Sequence, residues 1–313
     1  MNKLFKTSGG DLRWGWKAVL LIVGTILFGI LLNVILMTVL TVGYSSQGLV
    51  QEQATEKATL VSTGFITQVV MSVLQLGFLL WIVRWLVIRV ERHPFELSQL
   101  GLVSLDRSKH ILLGIALAVT LSPLTIGVGF ATGSLKYLGN GFDLFGTAQV
   151  FVTVLLAVVL ALASGFGEEI AFRGYLQTRI MQRYNSSVAV VIVAVLFALS
   201  HPVNTVANPL LYLGTAILVG ILFGTVFVRT GSLWTGIALH IVWNYMQIAV
   251  LAVRNSADER FFGSPFFVFD NVSGATQMLV ELDVILLVFV IILLVTKSST
   301  KVSEKVQHRQ AVS

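Results

Sequence analysis

The chain has 313 residues, of which 56% are apolar and only 12% charged, and its mean hydropathy is +0.87. Soluble domains carry about 45–50% apolar and about 25% charged residues, so too little polar surface remains to coat a water-soluble protein of this length, and a polytopic membrane protein is expected. The absence of cysteine excludes disulfides, thiolate metal sites, a catalytic thiol and palmitoylation, so any nucleophile is an oxygen. The net charge of +6 would suggest nucleic acid on a soluble protein, but its placement along the chain argues for membrane topology and against a nucleic-acid partner.

Apolar runs fall at 18–42, 64–86, 111–132, 150–178, 187–203, 208–229, 232–253 and 278–296. Each is near the roughly 20 residues needed to cross a bilayer. Eight spans starting from the cytosol place Lys3, Lys6, Arg13, Lys17, Arg84, Arg89, Arg92, Arg107, Lys109, Arg173, Arg179, Arg183, Arg229, Lys297, Lys301, Lys305 and Arg309 on one side. Only Lys57, Lys136, Arg254 and Arg260 fall on the other. This positive-inside asymmetry puts both termini in the cytosol, with the basic side able to contact anionic lipid. The first run is too long for a signal-peptide core and no A-x-A site follows it before Tyr44-Ser45-Ser46, so it reads as an uncleaved anchor. Trp14 and Trp16 before it, and Trp81 and Trp85 closing the second run, sit where aromatic belts form.

No Pro-, Gly- or Ser-rich linker and no internal repeat divides the chain, so it reads as one all-α membrane bundle in three regions. Residues 1–107 hold two spans and a basic connector broken at His93-Pro94; residues 108–253 form the core; residues 254–313 hold the longest outer loop, the last span and a charged tail from Ser298. The segment 43–62, with Glu52, Glu56 and Lys57, is expected as a polar outer loop.

An ionisable residue inside hydrocarbon costs about 2.5–3.5 kcal/mol on insertion scales, which makes each one a functional candidate. The acids embedded in the body of an apolar run are Glu168 and Glu169; the embedded histidines are His201 and His240, whereas His93, His110 and His308 lie in connectors or the tail. Glu281 and Asp283 enter the eighth run near its outer end, within reach of water. At 1.5 Å per residue from the expected cytosolic ends, Glu168 lies roughly 14 Å deep, His240 roughly 12 Å, Asn244 roughly 18 Å and His201 roughly 21 Å. Boundary errors of two to four residues put all four in one layer near the midplane.

Spacing supports convergence. Glu169 and Arg173 are four apart and share a helix face, which leaves Glu168, rotated by about 100°, free for another partner. His240 and Asn244 are also four apart on one face. A carboxylate desolvated among apolar helices is a stronger base toward bound water, and an imidazole and an amide opposite it can donate to an oxyanion. Glu168, His201 and His240 also make a catalytic zinc donor set with water in the fourth position, and the residues alone leave both schemes open.

At these residues the chain resembles the CPBP intramembrane proteases, the family of the CAAX prenyl endopeptidases and the bacterial Abi and bacteriocin-immunity proteins. Glu168-Glu169-Ile170-Ala171-Phe172-Arg173 matches its EExxxR motif, Phe197 to His201 its FxxxH motif and His240 to Asn244 its HxxxN motif, in order on successive apolar runs. The resemblance covers about 110–253 and implies that Glu168 activates a water with help from His201 while His240 and Asn244 stabilise the oxyanion. It gives Glu169 and Arg173 supporting roles, packs Phe197 against the site, and leaves a metallopeptidase or a metal-free glutamate mechanism open. Eukaryotic members cut prenylated proteins. The short loops and lack of a soluble domain resemble bacterial members of the plasma membrane, for which a peptide or membrane-protein substrate is expected.

Two other classes carry Glu and His in a membrane. A proton-coupled transporter should show inverted repeats and matching broken spans, which the sequence lacks. A non-catalytic immunity or scaffold protein retaining the fold differs from an enzyme in surviving loss of Glu168.

Overall fold

A computed structural model describes residues 12–102, 106–201, 208–255, 265–272 and 274–295. Lys3 and Lys6, Ser104, Arg260 and the tail from Ser298 with His308 lie outside the described residues. The protein is a helical bundle, as the composition requires, and the described residues hold five helices long and apolar enough to cross a membrane.

Helix α1 (Trp14–Ser46) has 33 residues and a length of about 50 Å. Leu27, Ile30, Leu31, Val34 and Ile35 on it are each more than half exposed, which in water would be an aggregation surface and in a bilayer is a lipid-facing belt. The segment expected as a polar loop contains a helix, α2 (Gln51–Ser62), and α3 (Phe65–Trp85) returns beside α1 and continues as a π-turn over Leu86–Val90. Helix α4 (Arg107–Ala131) leads to strand β1 (Leu135–Asn140) and the short α5 (Gly141–Phe145). Helix α6 (Thr147–Glu168) runs on through a nine-residue π-helix, Glu169–Gln177, and a last turn, Thr178–Met181.

Helix α7 (Ser186–Leu199) starts where the Asn185 side chain accepts from the backbone N–H of Val188 at 2.9 Å. It has 14 residues, fewer than the run of apolar sequence suggested, and stops just before His201. Helix α8 (Pro209–Thr230) opens on a proline, whose missing N–H costs nothing there, and closes on Gly231 at φ +66°, a left-handed cap. Helix α9 (Leu233–Tyr245) continues as a π-turn over Met246–Val250, and the end of that apolar run turns into strand β2 (Leu251–Asn255). Strand β3 (Phe267–Asn271) precedes α10 (Gly274–Val295).

The strands form a small sheet in the order β1-β3-β2, with β1 antiparallel and β2 parallel to β3. This sheet is an addition to the expected helical fold and closes one end of the bundle. Gly141 sits against it so tightly that a Cβ would run into the Pro265 carbonyl. Two apolar clusters form the core. One joins α1, α3, the π-helical part of α6, α7 and the start of α9 through Leu21, Leu86, Tyr175, Val193 and Leu233; the other joins α4, α8, α9 and α10 through Leu121, Phe223, Leu239 and Val284.

The connector after α3 carries a buried charge cluster absent from the sequence reading. Glu91 receives Lys17 Nζ at 2.8 Å, Arg179 Nε and Nη2 at 2.8–3.0 Å, and the Tyr175 hydroxyl at 3.0 Å. Burial pushes the Glu91 carboxyl up, but the hydrogen bonds and charges of Arg179 and Lys17 outweigh it and hold the group below its ordinary value. The cluster pins α1, the end of α3 and the end of α6 together.

Candidate active site

The site forms where α6 and α9 nearly touch. A Cβ on Gly165 would stand 2.6 Å from Ile241 Cγ1 and 3.1 Å from the Ile241 backbone nitrogen, so only glycine allows this approach. On the neighbouring face, a Cβ on Gly167 would meet Leu79 Cδ1 at 3.0 Å. Small residues at such positions are what lets membrane helices pack backbone to backbone.

Three of the expected residues converge. Oε2 of Glu168 is 3.8 Å from Nε2 of His201 and 3.8 Å from Nε2 of His240. Among the described residues this buried oxygen has no hydrogen-bond partner, although the side chains of Glu168 and His201 are 25% and 27% exposed. The far side of each imidazole is fixed. His201 Nδ1 lies 2.7 Å from the Phe197 carbonyl oxygen and His240 Nδ1 lies 3.1 Å from Glu169 Oε1. Both partners are acceptors, so both Nδ1 atoms carry the proton and both Nε2 atoms face Glu168.

Glu169 and Arg173 pair at 2.8 Å, and both side chains are fully buried. They lie in the π-helix, a local widening that clusters at functional sites. The guanidinium also donates to the Gly220 carbonyl at 3.3 Å and sits between two rings, 4.5 Å from the Phe197 centroid and 5.1 Å from that of Phe223. Phe197 therefore packs both the ion pair and the His201 ring, 4.5 Å from its centroid. Gly236 leaves room for the buried acid, since a Cβ there would stand 2.9 Å from Glu169 Oε2.

Asn244 is not hydrogen-bonded to the carboxylate or the imidazoles; its Nδ2 donates to Ser164 Oγ at 2.9 Å, one helical turn from Glu168 and His240 respectively. Tyr212, near the start of α8, is close enough for the Glu168 charge to act on its phenol. The sequence reading passed over Ser164, Tyr212 and Phe223, because a serine, a tyrosine and a phenylalanine in apolar helices give no signal of their own.

The zinc donor set does not close in this arrangement. Ligands bonded to a tetrahedral zinc at about 2.0–2.1 Å stand about 3.3 Å apart, shorter than the 3.8 Å from Glu168 to each Nε2. Among the described residues no group of three His, Asp or Glu side chains is arranged to hold a metal ion.

Residues 150–246 match the model of a protein family described as type II CAAX prenyl endopeptidase Rce1-like. No curated protein matches the chain. The matched segment runs from α6 to the end of α9 and contains Glu168, Glu169, Arg173, Phe197, His201, His240 and Asn244. The segment that carries the EExxxR, FxxxH and HxxxN motifs is thus the part of the chain that is similar to the CAAX-type intramembrane proteases.

Proposed function

We propose that the protein is an endopeptidase that hydrolyses peptide bonds of membrane-associated proteins or peptides without a metal. The observation that carries this reading is Glu168 Oε2, without a hydrogen-bond partner among the described residues and 3.8 Å from two imidazole nitrogens whose opposite edges are already held. Glu168 takes one proton from a substrate water while Nε2 of His201 accepts a hydrogen bond from the other and aims the oxygen. The water oxygen bonds to the scissile carbonyl carbon, and the carbonyl oxygen takes the negative charge.

That oxyanion is met by His240, in its doubly protonated form, and by the Asn244 amide. Nδ1–H of His240 donates to the Glu169 carboxylate, which holds the ring with its Nε2 edge toward Glu168. Collapse breaks the C–N bond, and the proton held by Glu168 passes to the leaving amine. The apolar wall of the bundle confines this chemistry to substrates that enter the membrane plane. Positively charged ends in the cytosol remain the orientation favoured by the Lys and Arg distribution.

The test is turnover of a quenched-fluorescence peptide library by the purified chain in proteoliposomes. Glu168→Gln keeps the shape but cannot take the water's proton, so cleavage should fall to background while the variant still inserts and folds. Wild-type biological effect retained by Glu168→Gln would leave binding, as in an immunity protein, as what this site does.

A further inference from the structure

Asn244 can donate to an oxyanion only if its amino group, and not its carbonyl, faces the cleft. What sets that choice is a residue one turn before Glu168. Ser164 Oγ stands 3.1 Å from the Leu160 carbonyl and 3.3 Å from the Ala161 carbonyl, both acceptors, so the single hydroxyl proton is committed to its own helix. The oxygen is then an acceptor toward anything else. It receives Asn244 Nδ2 at 2.9 Å, and the opposite flip would set two acceptors against each other.

We propose that Ser164 is a positioning residue that locks the Asn244 carboxamide with its nitrogen toward α6, leaving the second Nδ2–H to bind the oxyanion. This inference rests on the hydrolytic reading above. The geometry forms two rungs between α6 and α9: Glu168 opposite His240 at 3.8 Å, and one turn away Ser164 opposite Asn244 at 2.9 Å. The close approach at Gly165, between the two rungs, is what brings both within reach. One N–H of the amide is spent on Ser164, and the other shares a helix face with the Nε2 of His240, four residues earlier. The oxyanion thus has a charged donor and a neutral donor from one face of α9, both pre-aimed by residues of α6. An alanine at 164 would leave the amide free to flip or to satisfy itself elsewhere, which would cost transition-state binding and leave substrate binding alone.

The experiment compares the wild type, Ser164→Ala, Ser164→Thr, Asn244→Ala and the double variant Ser164→Ala/Asn244→Ala on one quenched-fluorescence peptide that the wild type cuts. Ser164→Ala should lower kcat about tenfold, the scale of one lost hydrogen bond, with KM within twofold. Ser164→Thr should restore it, because its hydroxyl can bond the same carbonyls. Asn244→Ala should cost about 10²-fold, and adding Ser164→Ala to it should cost nothing more. Wild-type kcat in Ser164→Ala, or multiplying losses in the double variant, overturns the proposal. If Glu168→Gln is dead while Ser164→Ala is fully active, this inference alone fails; if Glu168→Gln still cleaves, the hydrolytic reading fails first. Independently of turnover, the two Nδ2 protons of Asn244 in asparagine-labelled protein should exchange at different rates, one protected, and Ser164→Ala should abolish the difference. Equal exchange in the wild type also overturns the proposal.

Discussion

One oxygen, Oε1 of Glu169, accepts from both the Arg173 guanidinium at 2.8 Å and Nδ1 of His240 at 3.1 Å. The other oxygen, Oε2, is buried and has no hydrogen-bond partner among the described residues. Nearly all compensation for this buried charge therefore comes through one atom, and that atom also orients an imidazole of the site. Structure and chemistry are coupled there.

Arg173→Met should accordingly cost about 3–5 kcal/mol, the usual result of leaving one member of a buried pair alone. Glu169→Leu/Arg173→Met should recover most of that loss, because two apolar side chains replace two charges. The double variant should still turn over poorly, since His240 has lost the carboxylate that holds its tautomer and ring orientation. Unfolding in a denaturing detergent titration and kcat on the same samples check both halves. A stable double variant with wild-type kcat would remove Glu169 from any role in orienting His240.

The contact between α6 and α9 makes a second prediction. A methyl at Gly165 has Ile241 Cγ1 at 2.6 Å and the Ile241 backbone nitrogen at 3.1 Å, so a side chain and a helix backbone must both move. Gly165→Ala should destabilise by about 1–3 kcal/mol, as overpacking does. It should also part Glu168 from His240 and Ser164 from Asn244, and lower kcat more than tenfold, since a misplacement of about 1 Å can cost about 10²-fold. Gly127→Ala, on α4 where nothing lies within 4 Å, serves as the control and should change neither quantity.

Much of this was legible in the sequence, for a simple reason. The cost of a charge in hydrocarbon singled out Glu168, His201 and His240, and the fold sets Glu168 3.8 Å from both histidines. The i, i+4 rule paired Glu169 with Arg173 correctly even though the helix there is π and not α. What the pattern could not show was the partner across a gap. Glu91 gave no signal in the basic connector, because its three partners Lys17, Tyr175 and Arg179 come from distant parts of the chain. The sheet was invisible for a related reason: β1, β2 and β3 are five or six residues each and pair through backbone groups that hydropathy does not register.

The Glu91 cluster predicts acid sensitivity. Its folded pKa is depressed, so its contribution to stability is fully present above the ordinary carboxylate value of 4.5 and is lost as pH falls from there through the lower folded value. Stability measured from pH 7 down to pH 3 should therefore decline on the acid side. Glu91→Gln should cost about 3 kcal/mol at pH 7 by leaving Arg179 and Lys17 unpaired, and should flatten that decline. A variant whose acid limb is as steep as that of the wild type would assign the acid sensitivity to other carboxylates.

The last prediction separates water activation by Glu168 alone from activation on a metal. Glu168 Oε2 stands 3.8 Å from each of the two Nε2 atoms, farther than two ligands of one zinc stand from each other. Extensive dialysis of the wild type against a strong chelator should therefore leave kcat within twofold, and added zinc should not raise it. His201→Ala should lower kcat by removing the acceptor that aims the water, with no change in the metal content of the purified protein. Under a metal scheme the results reverse: chelation inhibits, zinc restores, and His201→Ala or His240→Ala lowers bound metal in step with rate. Metal analysis of wild type and both variants, run beside the kinetics, decides between them, because a metal that activates the water must be lost with its ligands.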